Sequence, residues 1–223
     1  MSYVFQFGVV TDNLPRLLSG ALLTIELSAL AMVGGLSVAI CCAFLKLWGP
    51  RPVRWIIHGY VEAIRNTPFL VQLFIIFFSL PAIGVRLDAN HAALLGMVVN
   101  LGAYATEIVR AGIESVPRGQ TEAGRALGLS RLQVFRFIIL FPAIKAVFPA
   151  LASQFILLML GSSIVSAISA QELTAITNTL QSTTFRAFEF YFAATLIYLL
   201  MALGFRGAFA AFYWLVFARE RRG

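Results

Sequence analysis

The chain has 223 residues, of which 60% are hydrophobic and 12% are charged, and its mean hydropathy is +0.86. Soluble domains are only about half apolar, so this composition excludes an ordinary soluble protein and indicates an integral membrane protein. The formal net charge is +7. Because no basic block with interleaved aromatic residues is present, this charge does not indicate nucleic-acid binding. It predicts orientation in the membrane instead.

Five apolar segments are long enough to cross a hydrocarbon core of about 30 Å, which needs roughly 20 apolar residues. We therefore predict an all-α integral membrane fold with five transmembrane helices, in one domain over residues 1–223. The predicted spans are about 20–45, 55–82, 92–113, 134–160 and 188–217. They use nearly the whole chain, so no soluble catalytic domain fits.

Lysine and arginine are distributed unequally between the two sides that these spans define. Positive loops face the cytoplasm, and one side has three basic residues whereas the other has fourteen. We therefore predict an N-terminus outside and a cytoplasmic C-terminus. The smaller set is Arg16, Arg86 and Arg186, and the larger set is Lys46, Arg51, Arg54, Arg65, Arg110, Arg118, Arg125, Arg131, Arg136, Lys145, Arg206, Arg219, Arg221 and Arg222.

Charged residues and a proline interrupt the second predicted span between Glu62 and Pro68. Pro68 removes a backbone donor and kinks a helix, and the spacing allows Glu62 and Arg65 to pair on one face. Such a stretch is tolerated in a membrane only where protein or a water-filled cavity surrounds it. The alternative is a loop that ends at Asn66, followed by a shorter span over 68–82.

A polar, helix-prone segment separates the third and fourth spans, and it predicts a short cytoplasmic helix over about 117–130. Gly128 supplies a helix stop. Ser130 and Gln133 have the spacing of a capping box that opens the next helix. Glu122 has two candidate partners within the segment, Arg118 and Arg125, at helical spacing.

Few polar residues lie at depth in the later spans. Asn100 and Tyr104 lie one turn apart in the third span, and Gln154 is the strongly polar residue of the fourth. Ser162 and Ser163 begin a hydroxyl-rich segment, 161–187, that we predict outside. Each of these residues has two open interpretations, because they either line a solute path or make ordinary hydrogen bonds between helices and within loops.

The cytoplasmic end of the third span carries Glu107, Arg110 and Glu114 at spacings of three and four, so these side chains share a face and neutralise one another. Adjacent Cys41 and Cys42 suit neither a metal site nor a disulfide and are interpreted as small buried apolar residues. His58 and His91 are isolated, and no cluster of cysteine, histidine or carboxylate residues surrounds either of them. The sequence therefore predicts neither a metal site nor catalytic residues.

The residues resemble the membrane subunits of ATP-binding-cassette importers for polar amino acids. The similarity covers nearly the whole chain, and its most specific part is Glu122-Ala123-Gly124, then Gly128, then Ile138-x-Leu140, which looks like the family's Glu-Ala-Ala signature. Residues 107–120 and 62–73 are also similar to the polar amino-acid branch. Two departures are Gly124 in place of the second Ala and Phe141 in place of Pro.

This resemblance implies a type I importer permease fold in a bacterial inner membrane, with a coupling helix that docks on ATPase subunits. It implies as partners two cytoplasmic ATPase subunits that hold ATP and Mg, a second permease subunit, and an extracytoplasmic amino-acid-binding protein. The candidate substrate path is Asn100, Tyr104, Gln154, Ser162 and Ser163. The candidate coupling residues are Glu122, Ala123, Gly124, Arg125, Ala126, Leu127, Gly128 and Leu129.

Three other functions remain open at this point. The coupling segment does not specify the cargo, so the solute could be another small polar molecule. Glu26, Glu62 and Glu107 in or near spans are also compatible with an ion-coupled secondary transporter. An intramembrane enzyme is the least favoured, because it needs a nucleophile with a base, or a histidine and carboxylate pair, at membrane depth.

Overall fold

The computed structural model describes residues 3–217, and this range is helical with short connections. The basic residues Arg219, Arg221 and Arg222, on which part of the predicted orientation depends, lie outside the described residues. The helices are α1 (Gly8–Asp12), α2 (Leu14–Trp48), α3 (Arg51–Arg65), α4 (Phe69–Ser79), α5 (Ala89–Glu114), α6 (Arg118–Ala126), α7 (Arg131–Val134), α8 (Leu140–Gly161), α9 (Leu173–Thr184) and α10 (Ala187–Phe217).

Within residues 3–217, four helical runs are long and apolar enough to cross a membrane: Leu14–Trp48, Ala89–Glu114, Arg131–Ile168 and Ala187–Phe217. A fifth candidate is the pair Arg51–Arg65 and Phe69–Ile83, which is bent by 111° at Pro68. The second predicted span therefore consists of two helices separated by a sharp break, and it is not one continuous kinked helix. Proline accounts for the break because the residue before it avoids helical geometry and its nitrogen cannot donate.

Helices α2 and α5 form the centre of the bundle, and glycines allow their close approach. A Cβ atom at Gly35 would lie 2.8 Å from the Leu101 Cβ, and one at Gly34 would lie 2.9 Å from the Val98 Cγ2. Small residues let helix backbones approach closely in membranes. These two glycines therefore allow the close contact between α2 and α5. Leu101 has no exposed surface.

A buried carboxylate fixes α9 against α2 and α10. Glu172 caps α9 by accepting from the amides of Thr174 and Ala175 at 2.9 Å, and it accepts from the Tyr198 hydroxyl at 2.6 Å. The first amide of α9, at Leu173, donates to the hydroxyl of Thr24 on α2. Burial raises the pKa of Glu172, and the hydrogen bonds from Tyr198 and the amides only partly oppose that rise.

The N-terminal arm is attached to the start of α10 by a second buried carboxylate. Glu189 has no exposed surface, and it accepts hydrogen bonds from the Tyr3 hydroxyl and from the Gln6 amide. Arg186 donates to the carbonyl of Val4 at 3.0 Å. The arm therefore belongs to the packed structure.

Candidate functional site

The short helix α6 ends in a Schellman motif built on a glycine. Gly128 has φ +79°, a left-handed conformation that glycine adopts without a Cβ penalty. Its amide donates to the carbonyl of Arg125 at 2.9 Å, and the amide of Leu129 donates to the carbonyl of Gly124 at 3.1 Å. The helix stop predicted at Gly128 is confirmed.

The chain then enters the fourth span through a capping box. The Gln133 amide donates to the Ser130 hydroxyl at 3.3 Å, and the Ser130 amide donates to the Gln133 side-chain oxygen at 2.8 Å. This prediction is also confirmed. A π-helical turn over Phe135–Ile139 joins α7 to α8, and Pro142 follows in the first turn of α8.

Gly124 faces the protein and does not belong to the outer surface of α6. It is the buried residue of this helix, and a Cβ atom there would overlap the Cδ1 of Ile138 in the π-helical turn. Val134 and Leu129 lie within ordinary contact distance of the same point. The glycine that departs from the family signature thus lets α6 pack directly on the start of the fourth span.

The opposite side of α6 and its end are exposed. Leu127 is 82% exposed, Glu122, Ala123, Arg125 and Ala126 are exposed, and Leu129 is half-buried. A single exposed leucine is ordinary on a protein surface, so Leu127 is a candidate contact residue because it lies in the segment that resembles the family signature. Within the described residues Glu122 makes no salt bridge, so the suggested pairing with Arg118 or Arg125 is absent from this structure.

A network of charges joins α2 to α5 next to α6. Arg110 contacts Glu107 at 2.9 Å and Glu114 at 2.5 Å, which confirms the neutralisation predicted from spacing. The ammonium of Lys46 lies 2.5 Å from Glu107, a contact that local spacing does not indicate because the residues are 61 positions apart. The pair Glu62 and Arg65, in contrast, forms no salt bridge. Glu62 accepts from Asn66 at 3.0 Å instead.

The break between α3 and α4 is held by one buried amide. Gln72 is 6% exposed, and its nitrogen donates to the carbonyls of Ile64 and Thr67 at 2.7 and 3.0 Å and to the Thr67 hydroxyl at 2.9 Å. Its oxygen accepts from Asn100 of α5 at 2.9 Å. Gln72 was not predicted, although it is the polar residue of an otherwise apolar run up to Phe78.

This break lies beside the middle of α5. The Tyr60 hydroxyl donates to the carbonyl of Val99 at 2.6 Å, and the Tyr104 hydroxyl lies 3.4 Å from the carbonyl of Arg65. The Arg65 guanidinium stands 5.7 Å from the centre of the Tyr104 ring. Asn100 and Tyr104, which were predicted together, therefore both meet the break, where Glu62 and Arg65 are exposed.

The remaining candidates do not join this cluster. Gln154 is half-buried on α8 and makes no hydrogen bond within residues 3–217. Ser162 has no exposed surface and donates to the Met159 carbonyl, and Ser163 opens onto a separate cavity of about 460 Å³ bounded by α9 and α10. Cys41 is exposed and Cys42 half-buried, so the burial expected of both is wrong for Cys41. No group of three histidine, cysteine, aspartate or glutamate residues in the described part of the chain could hold a metal ion.

Residues 17–213 match the family model described as "Binding-protein-dependent transport system inner membrane component". The chain belongs to this family. The permease is 42% identical over 159 residues to the L-cystine transport system permease protein TcyB of Bacillus subtilis, which covers 71% of this chain and 68% of that protein. It is 33% identical over 201 residues to the glutamine transport system permease protein GlnP of Escherichia coli, covering 89% and 92%.

Solved structures show the same fold. An amino acid ABC transporter crystallised with histidines matches the permease with a TM-score of 0.89 and 35% identity, covering 95% of this chain and 99% of that chain. An inward-facing MetNI methionine ABC transporter matches with a TM-score of 0.77 and 18% identity, covering 91% and 96%, which supports the fold alone.

The protein is therefore a permease subunit of an amino-acid ABC importer, a non-catalytic, multi-pass component of the inner membrane. It has the ABC importer permease fold expected from the sequence, with four or five candidate spans. The secondary transporter and the intramembrane enzyme are set aside by this family membership.

Proposed function

We propose that α6 is the surface on which a cytoplasmic ATPase subunit docks, and that this contact moves the bundle during transport. In the complete importer two ATPase subunits hold ATP and Mg, a second permease subunit completes the membrane part, and an external binding protein delivers the amino acid. The N-terminus is then outside and α6 is in the cytoplasm, in agreement with the unequal distribution of basic residues.

The observation that carries this proposal is the exposure of Leu127 at the end of a firmly held helix. Leu127 is 82% exposed, yet the residues around it are fixed by the Schellman motif and by the packing of Gly124 on the π-helical turn. Because α6 is held firmly against the π-helical turn, a displacement of Leu127 by a docked subunit is transmitted to the fourth span. Ala123 and Ala126 allow a close approach, and Arg125 is available for acidic groups at the edge of the contact.

We propose further that the break between α3 and α4 borders the amino-acid path. Glu62, Arg65 and Asn66 are exposed next to the middle of a spanning helix, where contact with lipid would be costly. Such residues face a water-filled cavity or another protein subunit. Asn100 and Tyr104 belong to this border, and Gln154 has a free amide for a polar solute.

The cargo that we propose is a polar amino acid. The relatives are named for L-cystine and glutamine, which supports the class and leaves the individual amino acid open. Ser162 and Ser163 are left out of the proposed path because Ser162 is buried and Ser163 opens onto a different cavity.

The path is tested by uptake into proteoliposomes that contain the permease, its ATPase subunits and the external binding protein. Asn100→Leu should lower the uptake rate or raise its KM, because it removes the amide that faces the break. Asn90→Leu is the matched control, a half-buried amide near the outer end of the same helix. Equal kinetics for both variants would remove Asn100 from the path. Unchanged kinetics in Gln154→Leu would likewise remove Gln154.

A further inference from the structure

A large groove separates α6 from the cytoplasmic ends of α2 and α5. Its volume is about 1040 Å³, and it lies beside the exposed aromatic side chain of Trp48, which is 50% exposed. Three arginines from two elements border it, together with one carboxylate and an aromatic floor. These lining residues are Arg118, Arg125, Arg131, Glu114, Trp48 and Phe135.

The groove carries uncompensated positive charge. Arg118, Arg125 and Arg131 form no salt bridge within residues 3–217. Glu114 does not neutralise them, because it is already paired with Arg110 at 2.5 Å. An anion that entered this groove would therefore meet three arginines whose charges no described carboxylate satisfies.

A purely apolar slot continues from the floor of this groove into the spanning part of the bundle. The slot has a volume of about 350 Å³ between α2, α5, α8 and α10. Phe44, Trp48, Ile113 and Phe135 line both the groove and the slot. At its far end the slot reaches Phe155, on the fourth span, so it extends along the hydrocarbon region.

We propose that this groove and slot together bind one anionic phospholipid, with the phosphate among the arginines and an acyl chain in the slot. Basic pockets between helices at the cytoplasmic face attract anionic headgroups. An ATPase subunit is a soluble protein whose surface can cover the arginines, but it would have to push a side chain between spanning helices to fill the slot. A lipid provides both parts in one molecule.

The site connects the lipid to the moving part of the importer. Arg118 and Arg125 belong to α6, whereas Phe44 and Ile113 belong to α2 and α5. A bound headgroup would bridge α6 to these two helices without blocking Leu127, which is not among the residues that line the groove. This inference is independent of the amino-acid path.

The test uses the assembled permease and ATPase complex in phosphatidylcholine nanodiscs with increasing phosphatidylglycerol, followed by native mass spectrometry of retained lipid. We expect one tightly retained phosphatidylglycerol per permease. Arg118→Gln should weaken retention about fivefold, and Arg118→Gln with Arg131→Gln about thirtyfold. Arg136→Gln is the matched control, since Arg136 stands over the Phe137 ring and does not line the groove; it should retain lipid as the wild type does.

A second variant examines the slot. Ala152 lines it from α8, and Ala152→Phe should reduce retention of long-chain phosphatidylglycerol while leaving the direct binding of glycerol phosphate unchanged. Equal retention of phosphatidylcholine and phosphatidylglycerol would overturn the proposal, as would retention that the arginine variants do not change. Lipid that the permease retains alone but loses in the assembled complex would overturn the proposal and assign the groove to the protein interface. Displacement by glycerol phosphate at the same concentration as the lipid would make the groove a simple anion site.

Discussion

Gly124 of α6 packs directly against Ile138 of the π-helical turn, so closely that a Cβ atom at position 124 would overlap the Ile138 Cδ1. Through this contact α6 packs against the start of the fourth span. Both residues belong to the segment that resembles the family signature, and Gly124 stands where that signature has alanine.

The close packing at Gly124 predicts that the effect of Gly124→Ala on stability changes sign between the wild type and the Ile138→Val variant. In the wild type, Gly124→Ala should destabilise by about 1 kcal/mol, because overpacking costs of 1–3 kcal/mol exceed the gain in helix propensity of about 1 kcal/mol. In Ile138→Val, which lacks the overlapping Cδ1 atom, the same change should be neutral or stabilising. A double-mutant cycle of thermal unfolding in detergent measures this coupling, and additive effects would argue against the contact.

The left-handed conformation of Gly128 predicts that a substitution there impairs function less when the new residue adopts this conformation more readily. Gly128→Val should weaken substrate-stimulated ATP hydrolysis, since a residue with φ +79° and a β-branched side chain is strained by roughly 1–2 kcal/mol. Gly128→Asn is the matched control because asparagine accepts this conformation more readily. Among the described residues, a Cβ atom at position 128 would meet no heavy atom within 4 Å apart from those of its chain neighbours, so equal losses in both variants would show that strain is not the cause.

The charge network predicts that replacing Glu107 lowers the stability of the protein more than replacing Lys46. Glu107→Gln leaves Lys46 without its carboxylate partner and should lower stability by about 1.5–3 kcal/mol, typical of charged hydrogen bonds. Lys46→Met leaves Glu107 paired with Arg110 and should cost less. Unfolding temperatures of the two variants in the same detergent provide the comparison, and a reversed order would contradict the assignment of Glu107 as the shared partner.

The raised pKa of Glu172 predicts a stability that falls as pH rises. The folded protein holds the Glu172 proton more tightly than the unfolded chain does. The contribution of this proton to the free energy of unfolding is therefore complete below the ordinary glutamate pKa, and it is lost as the pH rises through the raised pKa of the folded state. Glu172→Gln should flatten the dependence of the unfolding temperature on pH. If the unfolding temperature of Glu172→Gln depended on pH as strongly as that of the wild type, the dependence would belong to other titrating groups.

Local features of α6 could be predicted from sequence because neighbouring residues determine them. The stop at Gly128 and the capping box at Ser130 depend on hydrogen bonds within five positions. The inward role of Gly124 could not be predicted, since it depends on Ile138 in the following turn, and the helical period does not say which face is covered. Spacing also suggested a pair for Glu122 that the exposed side chain does not form.

Longer-range relationships escaped prediction for a similar reason. Proline at position 68 indicated a kink, but it indicated neither the 111° angle between the two helices nor the hydrogen bond by which Gln72 ties the break to Asn100 of another helix. The contact of Lys46 with Glu107 joins residues 61 positions apart, and that of Tyr3 with Glu189 joins residues 186 apart. Periodicity identifies helices and their apolar faces, while such pairings depend on the packed arrangement.

The central claim, that the exposed end of α6 docks on the ATPase, is tested most directly at Leu127. We expect Leu127→Glu to abolish co-purification of the ATPase subunits with the permease and to remove substrate-stimulated ATP hydrolysis in proteoliposomes, because a charge would enter an apolar contact. Leu127→Met, which conserves volume and polarity, should retain both. Wild-type assembly and hydrolysis in Leu127→Glu would contradict the account.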